Sequence, residues 1–120
     1  LEQAKSAKTV IVSCEEIVPA AELRRDPDQN ALPPFLVDAV VHAPYGAHPT
    51  ACRYFYDYDP VFLNDYKRLA RDDEAYAGWR ERWIHGVQDH DGYLAAVGEQ
   101  ALARIKADPV TGYAVGLDRR

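Results

Sequence analysis

The sequence predicts an α/β fold: part of an open, mainly parallel sheet, followed by a C-terminal helical segment. Two short runs, 9–14 and 37–41, are rich in β-branched residues. The first is continuous rather than alternating, which is typical of a parallel strand covered on both faces. From residue 59 onward, apolar residues instead recur at spacings of three and four, as in amphipathic helices. A chain of 120 residues, 48% of them hydrophobic, is long enough for one domain or part of one.

The composition of the chain argues against several kinds of binding partner. The net charge of −5 argues against nucleic acid, whose binding depends on phosphate neutralisation by Lys and Arg. No apolar run approaches the ~18 residues that span a bilayer, so we predict no membrane insertion. Cys14 and Cys52 form no C-x-x-C pair, which favours reduced thiols in a cytoplasmic protein, with Cys14 in the core, over a zinc site. The absence of Met indicates a trimmed, processed or excerpted chain.

Residues 1–50 are predicted to hold the strands and their connecting loops. Residues 1–8 have the pattern of the end of a helix and lead into the strand 9–14. A short helix over 21–25 interrupts an otherwise irregular crossover, which then enters the strand 37–41. Strand, crossover and strand in this order favour a neighbouring parallel pair.

Residues 51–108 are predicted to be helical, and 109–120 to be a loose tail. Asp59-Pro60 begins the first helix, as N-cap and first helical residue. Asp72 begins the second, Gly86 ends it, and Asp89 or Asp91 caps a third that continues to Asp108-Pro109. The residues expected to face inward are Phe62, Tyr66 and Leu69, then Tyr76, Trp79, Trp83 and Ile84, then Leu94, Val97, Ala101, Leu102 and Ile105.

The aromatic and acidic stretch 53–59 leaves two interpretations open, because Tyr combines a large contact area with a polar tip. It packs against a ligand or a partner chain, or it folds down over its own core. His85 and His90 lie five apart across a glycine, which is not the i, i+4 spacing of a helical metal site. We therefore predict no metal site there.

Residues 37–50 begin as a strand and end in a loop with Pro44, Gly46 and Pro49. Such a loop at the carboxyl end of a strand is where α/β proteins present binding groups, although a plain turn gives the same pattern. Gly46 is expected to adopt a backbone conformation closed to other residues. Glu15 and Glu16 follow the other strand; we favour a water-facing or helix-capping role over acid–base chemistry.

The order of these pieces resembles the C-terminal portion of the alpha (A) subunit of family I coenzyme A transferases, of the glutaconate CoA-transferase type. Ala-Pro-Tyr-Gly-Ala-His-Pro and a downstream Tyr-Asp-x-Asp are the most specific elements of the match. The residues that carry the resemblance are 9–19, 37–41, 43–49, 56–59 and 86–94.

The resemblance implies a CoA-transferase-like open sheet and pairing with a beta subunit. In this family CoA moves between an acyl-CoA and a carboxylic acid through a glutamyl-CoA thioester, and the glutamate lies on the beta subunit. The resemblance therefore implies that this chain contains no catalytic residue. It also implies that the chain binds no cofactor and that a coenzyme A thioester is the substrate. It implies a substrate-binding loop at Tyr45, Gly46 and His48, in which His48 donates a hydrogen bond or only braces the loop.

Two alternatives to transfer stay open at this stage. A related enzyme uses a CoA thioester in hydrolytic cleavage of a carbon ring. A piece of a subunit can also be catalytically inert and serve as scaffold and contact surface for the beta subunit. We expect the chain alone to be inactive in either case.

Overall fold

The computed structural model describes residues 2–119, and for Gln29 the backbone only. Leu1, where the first predicted helix begins, and Arg120, at the end of the predicted tail, lie outside the described residues. The chain divides into two compact units, residues 1–46 and 47–120. The elements are α1 (Glu2–Ser6), β1 (Ile11–Cys14), α2 (Ala20–Arg25), β2 (Ala39–His42), α3 (Pro60–Leu69), α4 (Asp73–Arg80), α5 (His90–Val97) and α6 (Glu99–Ile105), with short 3-10 turns at Pro27–Gln29 and Pro34–Leu36.

The first unit is organised around β1 and β2, which pair in parallel as the sequence predicted. Asp38 sets their register from just before β2. Its carboxylate accepts a hydrogen bond from the Val10 amide at 2.7 Å. Its own amide donates a hydrogen bond to the Val10 carbonyl at 2.9 Å. These two bonds place Ile11 opposite Ala39 and run the strands side by side to Cys14 and His42.

The prediction that both strands are buried is wrong for this chain. Ile11 is 67% exposed and Val40 is 60% exposed. Cys14 is half-buried rather than part of a core. The physical reason is that this unit has only two strands and two short helices, one before and one after β1 in the chain, which is too little polypeptide to cover both faces of the sheet.

The first two helices of the second unit, α3 and α4, begin at the positions that the sequence predicted. Asp59 caps α3 by accepting the amides of Val61 and Phe62, and Asp72 caps α4 by accepting the amide of Ala75. The aromatic faces of the helices meet, as expected. Ring centroids of Phe62 lie 5.8 Å from Trp79 and 4.9 Å from Trp83, and Tyr66 lies 5.1 Å from Trp79.

The last turn of the second helix is wider than an α-helix. Residues Glu81–His85 are π-helical, and the turn closes with the Gly86 amide donating to the Glu81 carbonyl at 2.6 Å. A π turn shifts the following residues off the α-helical stripe. This explains why Ile84, predicted to face inward, is 52% exposed.

The predicted third helix is two helices. Asp89, rather than Asp91, caps α5 by accepting the Gly92 amide. Gly98 then adopts a φ of +89°, a left-handed conformation that ends α5 and precedes α6. The inward stripe nevertheless continues to Ile105, which is fully buried. No helix in residues 2–119 is long and apolar enough to cross a membrane.

The predicted loose tail is part of the core of the second unit. Ala107 pairs with Ala114 in an antiparallel bridge, and Ala114 and Leu117 are buried together with Tyr56 and Ile105. The tail was misjudged because its two glycines and polar end resemble a disordered terminus, whereas its few apolar residues complete the core.

Asp57 links the aromatic stretch to this terminal segment. Its carboxylate accepts the Ala114 amide at 3.3 Å and pairs with the Arg119 guanidinium. Burial acts to raise the pKa of Asp57, but these donors outweigh it and hold the pKa below its ordinary value. With Tyr56, Asp57 and Asp59 all buried, the structure places this part of the stretch in the core of its own unit.

We expect Asp57→Ala to reduce the free energy of unfolding by about 1–3 kcal/mol, because the buried Ala114 amide loses its acceptor. Thermal unfolding followed by circular dichroism measures the change. Asp65→Ala is the matched control, since Asp65 forms an exposed pair with Arg68 and such pairs contribute about 0–1 kcal/mol. Equal shifts in melting temperature for the two variants would contradict the assigned role of Asp57.

Candidate functional site

The loop that follows β2 depends on a close backbone approach at Gly46. The Gly46 amide donates to the Ala43 carbonyl at 2.8 Å, and a Cβ on Gly46 would lie only 2.7 Å from that oxygen. Glycine is therefore required by space. The residue in the left-handed region is Tyr45, with a φ of +58°, so the predicted special conformation lies one residue earlier than expected.

Glu15 holds this loop from the end of the neighbouring strand. Its carboxylate accepts the Tyr45 amide at 2.7 Å, and its carbonyl accepts a hydrogen bond from His42 Nε2 at 3.1 Å. Burial, and then the charge of Glu15, raises the pKa of Tyr45. The expectation that Glu15 faces water or caps a helix is wrong, whereas Glu16 is exposed. The contact follows from the topology, since parallel strands end at the same edge of the sheet.

His48 lies in the second unit and is enclosed there, with 0% of its side chain exposed. Nδ1 lies 2.6 Å from the Tyr93 hydroxyl, and Nε2 lies 3.4 Å from a carboxylate oxygen of Asp59. Because a carboxylate only accepts, we assign the proton to Nε2 and the acceptor role to Nδ1. Burial lowers the pKa of His48, although Asp59 acts in the opposite direction. The residue before it, Ala47, is held through its amide, which donates to the Tyr56 hydroxyl at 2.9 Å.

Asp59 joins this histidine to two helices and to the loop. One oxygen caps α3, and the Arg104 guanidinium donates to both oxygens at 3.2 and 3.4 Å. The backbone amide of Asp59 donates to the Pro49 carbonyl at 2.9 Å. The His48–Pro49 peptide bond is cis. His48 and Pro49 are thus fixed within the second unit, through a side chain and a main-chain group respectively.

Tyr93 completes the cluster from α5. Burial, and then the charge of Asp59, raises the pKa of Tyr93 to about 12. Its hydroxyl therefore stays protonated near neutral pH and donates to His48. The cluster contains a neutral histidine, a protonated phenol and a carboxylate held by Arg104. It is suited to positioning the chain rather than to attacking a substrate.

Of the residues predicted to bind substrate, Tyr45 and Gly46 end the first unit, and His48 lies in the second. The partners of His48 were missed from the sequence because Tyr93 is 45 positions away. Asp59 was recognised only as a helix cap. Among residues 2–119, no group of three His, Cys, Asp or Glu side chains is placed to hold a metal ion.

The chain is similar in sequence and in structure to known CoA-transferases. It is 42% identical over 116 residues to the A subunit of glutaconate CoA-transferase from Acidaminococcus fermentans, covering 97% of this chain and 36% of that protein. It is 34% identical over 98 residues to the A subunit of 3-oxoadipate CoA-transferase from Pseudomonas knackmussii, covering 82% and 34%. The crystal structure of the Acidaminococcus glutaconate CoA-transferase superposes with a TM-score of 0.83 at 44% identity, covering 93% of this chain and 35% of that one. No family model matches.

These matches define an α/β polypeptide homologous to the A subunits of CoA-transferases. More particularly, the chain corresponds to the C-terminal part of an A subunit of the glutaconate CoA-transferase type, which confirms the resemblance seen in the sequence. The chain spans about a third of the length of the curated relatives named above.

We expect acidification to destabilise the chain through His48. Its pKa is lowered in the folded state, so below pH 6.5 the unfolded state binds the proton first and stability falls as the pH falls towards the folded-state pKa. The loss is at most about 1.4 kcal/mol for each pH unit. Urea unfolding at pH 7.5 and 5.5 measures it.

His48→Gln should show a smaller difference between the two pH values than the unmodified chain. His85→Gln, at an exposed position, is the control and should retain the full difference. A pH dependence that is the same with and without His48 would show that another group titrates.

Proposed function

We propose that this chain is the C-terminal part of the A subunit of a CoA-transferase, which moves CoA between an acyl-CoA and a carboxylic acid. The observation that carries the proposal is the 42% identity to the A subunit of glutaconate CoA-transferase, sustained over 97% of the chain. In the proposed reaction, the acyl-CoA is attacked by a glutamate that belongs to the partner B subunit. The CoA thiolate leaves the acyl carbonyl, attacks the glutamyl carbonyl of the resulting anhydride and releases the first carboxylic acid. The second acid takes CoA from the glutamyl thioester by the same steps in reverse, which regenerates the glutamate.

The two carboxylates at the candidate site, those of Glu15 and Asp59, are occupied within this chain, which supports a glutamate supplied by the partner. Glu15 is engaged by the Tyr45 amide, and Asp59 is buried among His48, Arg104 and the first turn of α3. Neither carboxylate is free to attack a substrate, because both already accept hydrogen bonds within the chain. We therefore propose that the chain binds and positions, with the coenzyme A thioester as substrate and no resident cofactor of its own.

The substrate-binding role falls to the loop after β2. We propose that Tyr45 and Gly46, at the carboxyl end of the parallel strands, contact the acyl or carboxylate group. Both nitrogens of His48 are occupied within the second unit, which supports a bracing role over direct donation to substrate. In this proposal residues 1–50 carry the strands and binding loop, 51–108 hold His48 in place, and 109–120 complete the core of the second unit.

The names of the relatives suggest a class of acyl group. Glutaconate and 3-oxoadipate are both dicarboxylates, so we propose a dicarboxylic acid as one of the two acids exchanged. A cytoplasmic location, expected from the sequence, belongs to the same proposal. It agrees with Cys14 and Cys52, which form no disulfide in the described part of the chain.

The proposed function is tested with a chimera in which this chain replaces the matching segment of the Acidaminococcus A subunit. Co-purified with the B subunit of that enzyme, the chimera should transfer CoA from glutaconyl-CoA to a second carboxylic acid with ping-pong kinetics, and the chain alone should not. Hydrolytic cleavage of the carbon ring in a cyclic acyl-CoA, without CoA transfer, would replace the proposal with the ring-cleaving hydrolase. An assembled complex without turnover would leave only a scaffold role.

In the same complex we expect Gly46→Ala to lower kcat/KM by roughly 10- to 100-fold, because the new methyl group displaces a binding loop. Gly78→Ala is the matched control, since a Cβ there meets nothing within 4 Å, and it should keep the parent rate. His48→Ala should also lower kcat/KM. Parent values for both substrates in Gly46→Ala and His48→Ala would remove the loop from the site.

A further inference from the structure

The second unit contains a cleft that the proposed function does not use. It lies where the first turns of α3, the π turn Glu81–His85, the end of α5 and the second half of α6 meet, and its volume is about 210 Å³. Small-molecule sites are commonly about 300–1,000 Å³, so this cleft fits a small organic molecule and is too small for a coenzyme.

Most of the lining of the cleft is apolar. The ring centroids of Phe62 and Trp83 lie 4.9 Å apart, and Val61, Val97 and Ala101 extend the apolar surface on either side of them. Apolar walls with few polar groups are typical of sites that bind the hydrocarbon part of a small molecule. A ligand that matches this cleft therefore has an apolar body.

Arg82 lines the same cleft and keeps its hydrogen-bond donors for a ligand. Its guanidinium lies over the Trp83 ring, with the guanidinium carbon 4.5 Å from the ring centroid. A stacked guanidinium is held by its face, so the N–H groups in its plane stay available. The ion pairs formed among residues 2–119 do not include Arg82. Its planar donors match a carboxylate, which accepts two parallel hydrogen bonds from a guanidinium.

The other charged side chains of the lining are already paired. Asp65 pairs with Arg68, and both oxygens of Asp59 accept hydrogen bonds from Arg104. These pairs leave the positive charge of Arg82 as the surplus charge of the cleft. One carboxylate on the ligand balances it, whereas a second carboxylate would be repelled by the two aspartates.

We propose that this cleft binds a small monocarboxylic acid, with the apolar body of the acid against Phe62 and Trp83 and its carboxylate on Arg82. The site depends on contacts within the second unit and not on the proposed CoA transfer. It is tested by binding, which is measured without turnover.

Benzoate is the probe, because it joins one carboxylate to a planar apolar ring. Titrated into the isotopically labelled chain, it should shift the indole N–H resonance of Trp83 in nuclear magnetic resonance spectra, with a Kd of about 1 mM or tighter. The Trp79 indole is the internal reference, since its nitrogen is buried and Trp79 does not line the cleft. Benzamide, which lacks the charge, and acetate, which lacks the ring, should each bind at least about 10-fold more weakly.

Arg82→Gln should weaken benzoate binding about 10-fold or more, because it removes the charged donors. Arg80→Gln is the matched control. Arg80 also lies over an aromatic ring, that of Tyr76, but it does not line the cleft, so this variant should keep the parent Kd. Ala101→Leu places a larger side chain in the cleft and should weaken binding as well. A parent-like Trp79 resonance shows that each variant is folded.

Calorimetry on the chimera described above, assembled with its B subunit, extends the test to a complete A subunit. Benzoate should bind this complex with a similar Kd, and Arg82→Gln should weaken binding there by the same factor. Failure of benzoate to bind the assembled complex would show that other polypeptide fills the cleft and would overturn the proposal.

Two further results would also overturn it. Equal affinities for benzoate, acetate and the dicarboxylate glutaconate would indicate non-specific anion binding, and an unchanged Kd in Arg82→Gln would place benzoate elsewhere. A chimera that binds benzoate but transfers no CoA would contradict the proposed function and support the acid site. A chimera that transfers CoA but binds no benzoate would do the reverse.

Discussion

The buried carboxylate of Asp59 is the interaction on which the second unit depends. It satisfies the first amides of α3, accepts a hydrogen bond from His48 Nε2 and pairs with Arg104 near the end of α6. A carboxylate that is 2% exposed is tolerated only when its oxygens are occupied by donors, and here each oxygen is. One side chain thereby ties together segments that are far apart in sequence. Losing it would leave His48 Nε2 and the first amides of α3 without their acceptor.

The sequence was most informative where the governing interactions are local. The starts at Asp59 and Asp72 were predictable because a cap and the amides it accepts lie within three residues. The two strands were predictable because a run of β-branched residues favours a strand whichever strand it pairs with. The break at Gly98 was missed because the apolar stripe continues through it, and its left-handed φ is visible only in the backbone.

The candidate site was least predictable, because its contacts are long-range. The loop was identified from its glycine and prolines, but the contact of Glu15 with Tyr45 spans 30 positions and that of His48 with Tyr93 spans 45. Burial also bears on the two roles that the sequence left open for His48, donation to substrate and bracing of the loop. Enclosure gives both of its nitrogens to the protein, which supports bracing.

The chemical state of this cluster bears on where catalysis takes place in the proposed enzyme. A general base or nucleophile needs access to the reacting atoms and a pKa near the working pH. His48 has no exposed side-chain surface, and the Tyr93 phenol, with a pKa of about 12, holds its proton. A neutral, enclosed histidine and a protonated phenol stabilise one loop geometry whether or not a substrate is bound. That state supports the proposed division of labour, in which this chain positions groups and a partner provides the carboxylate.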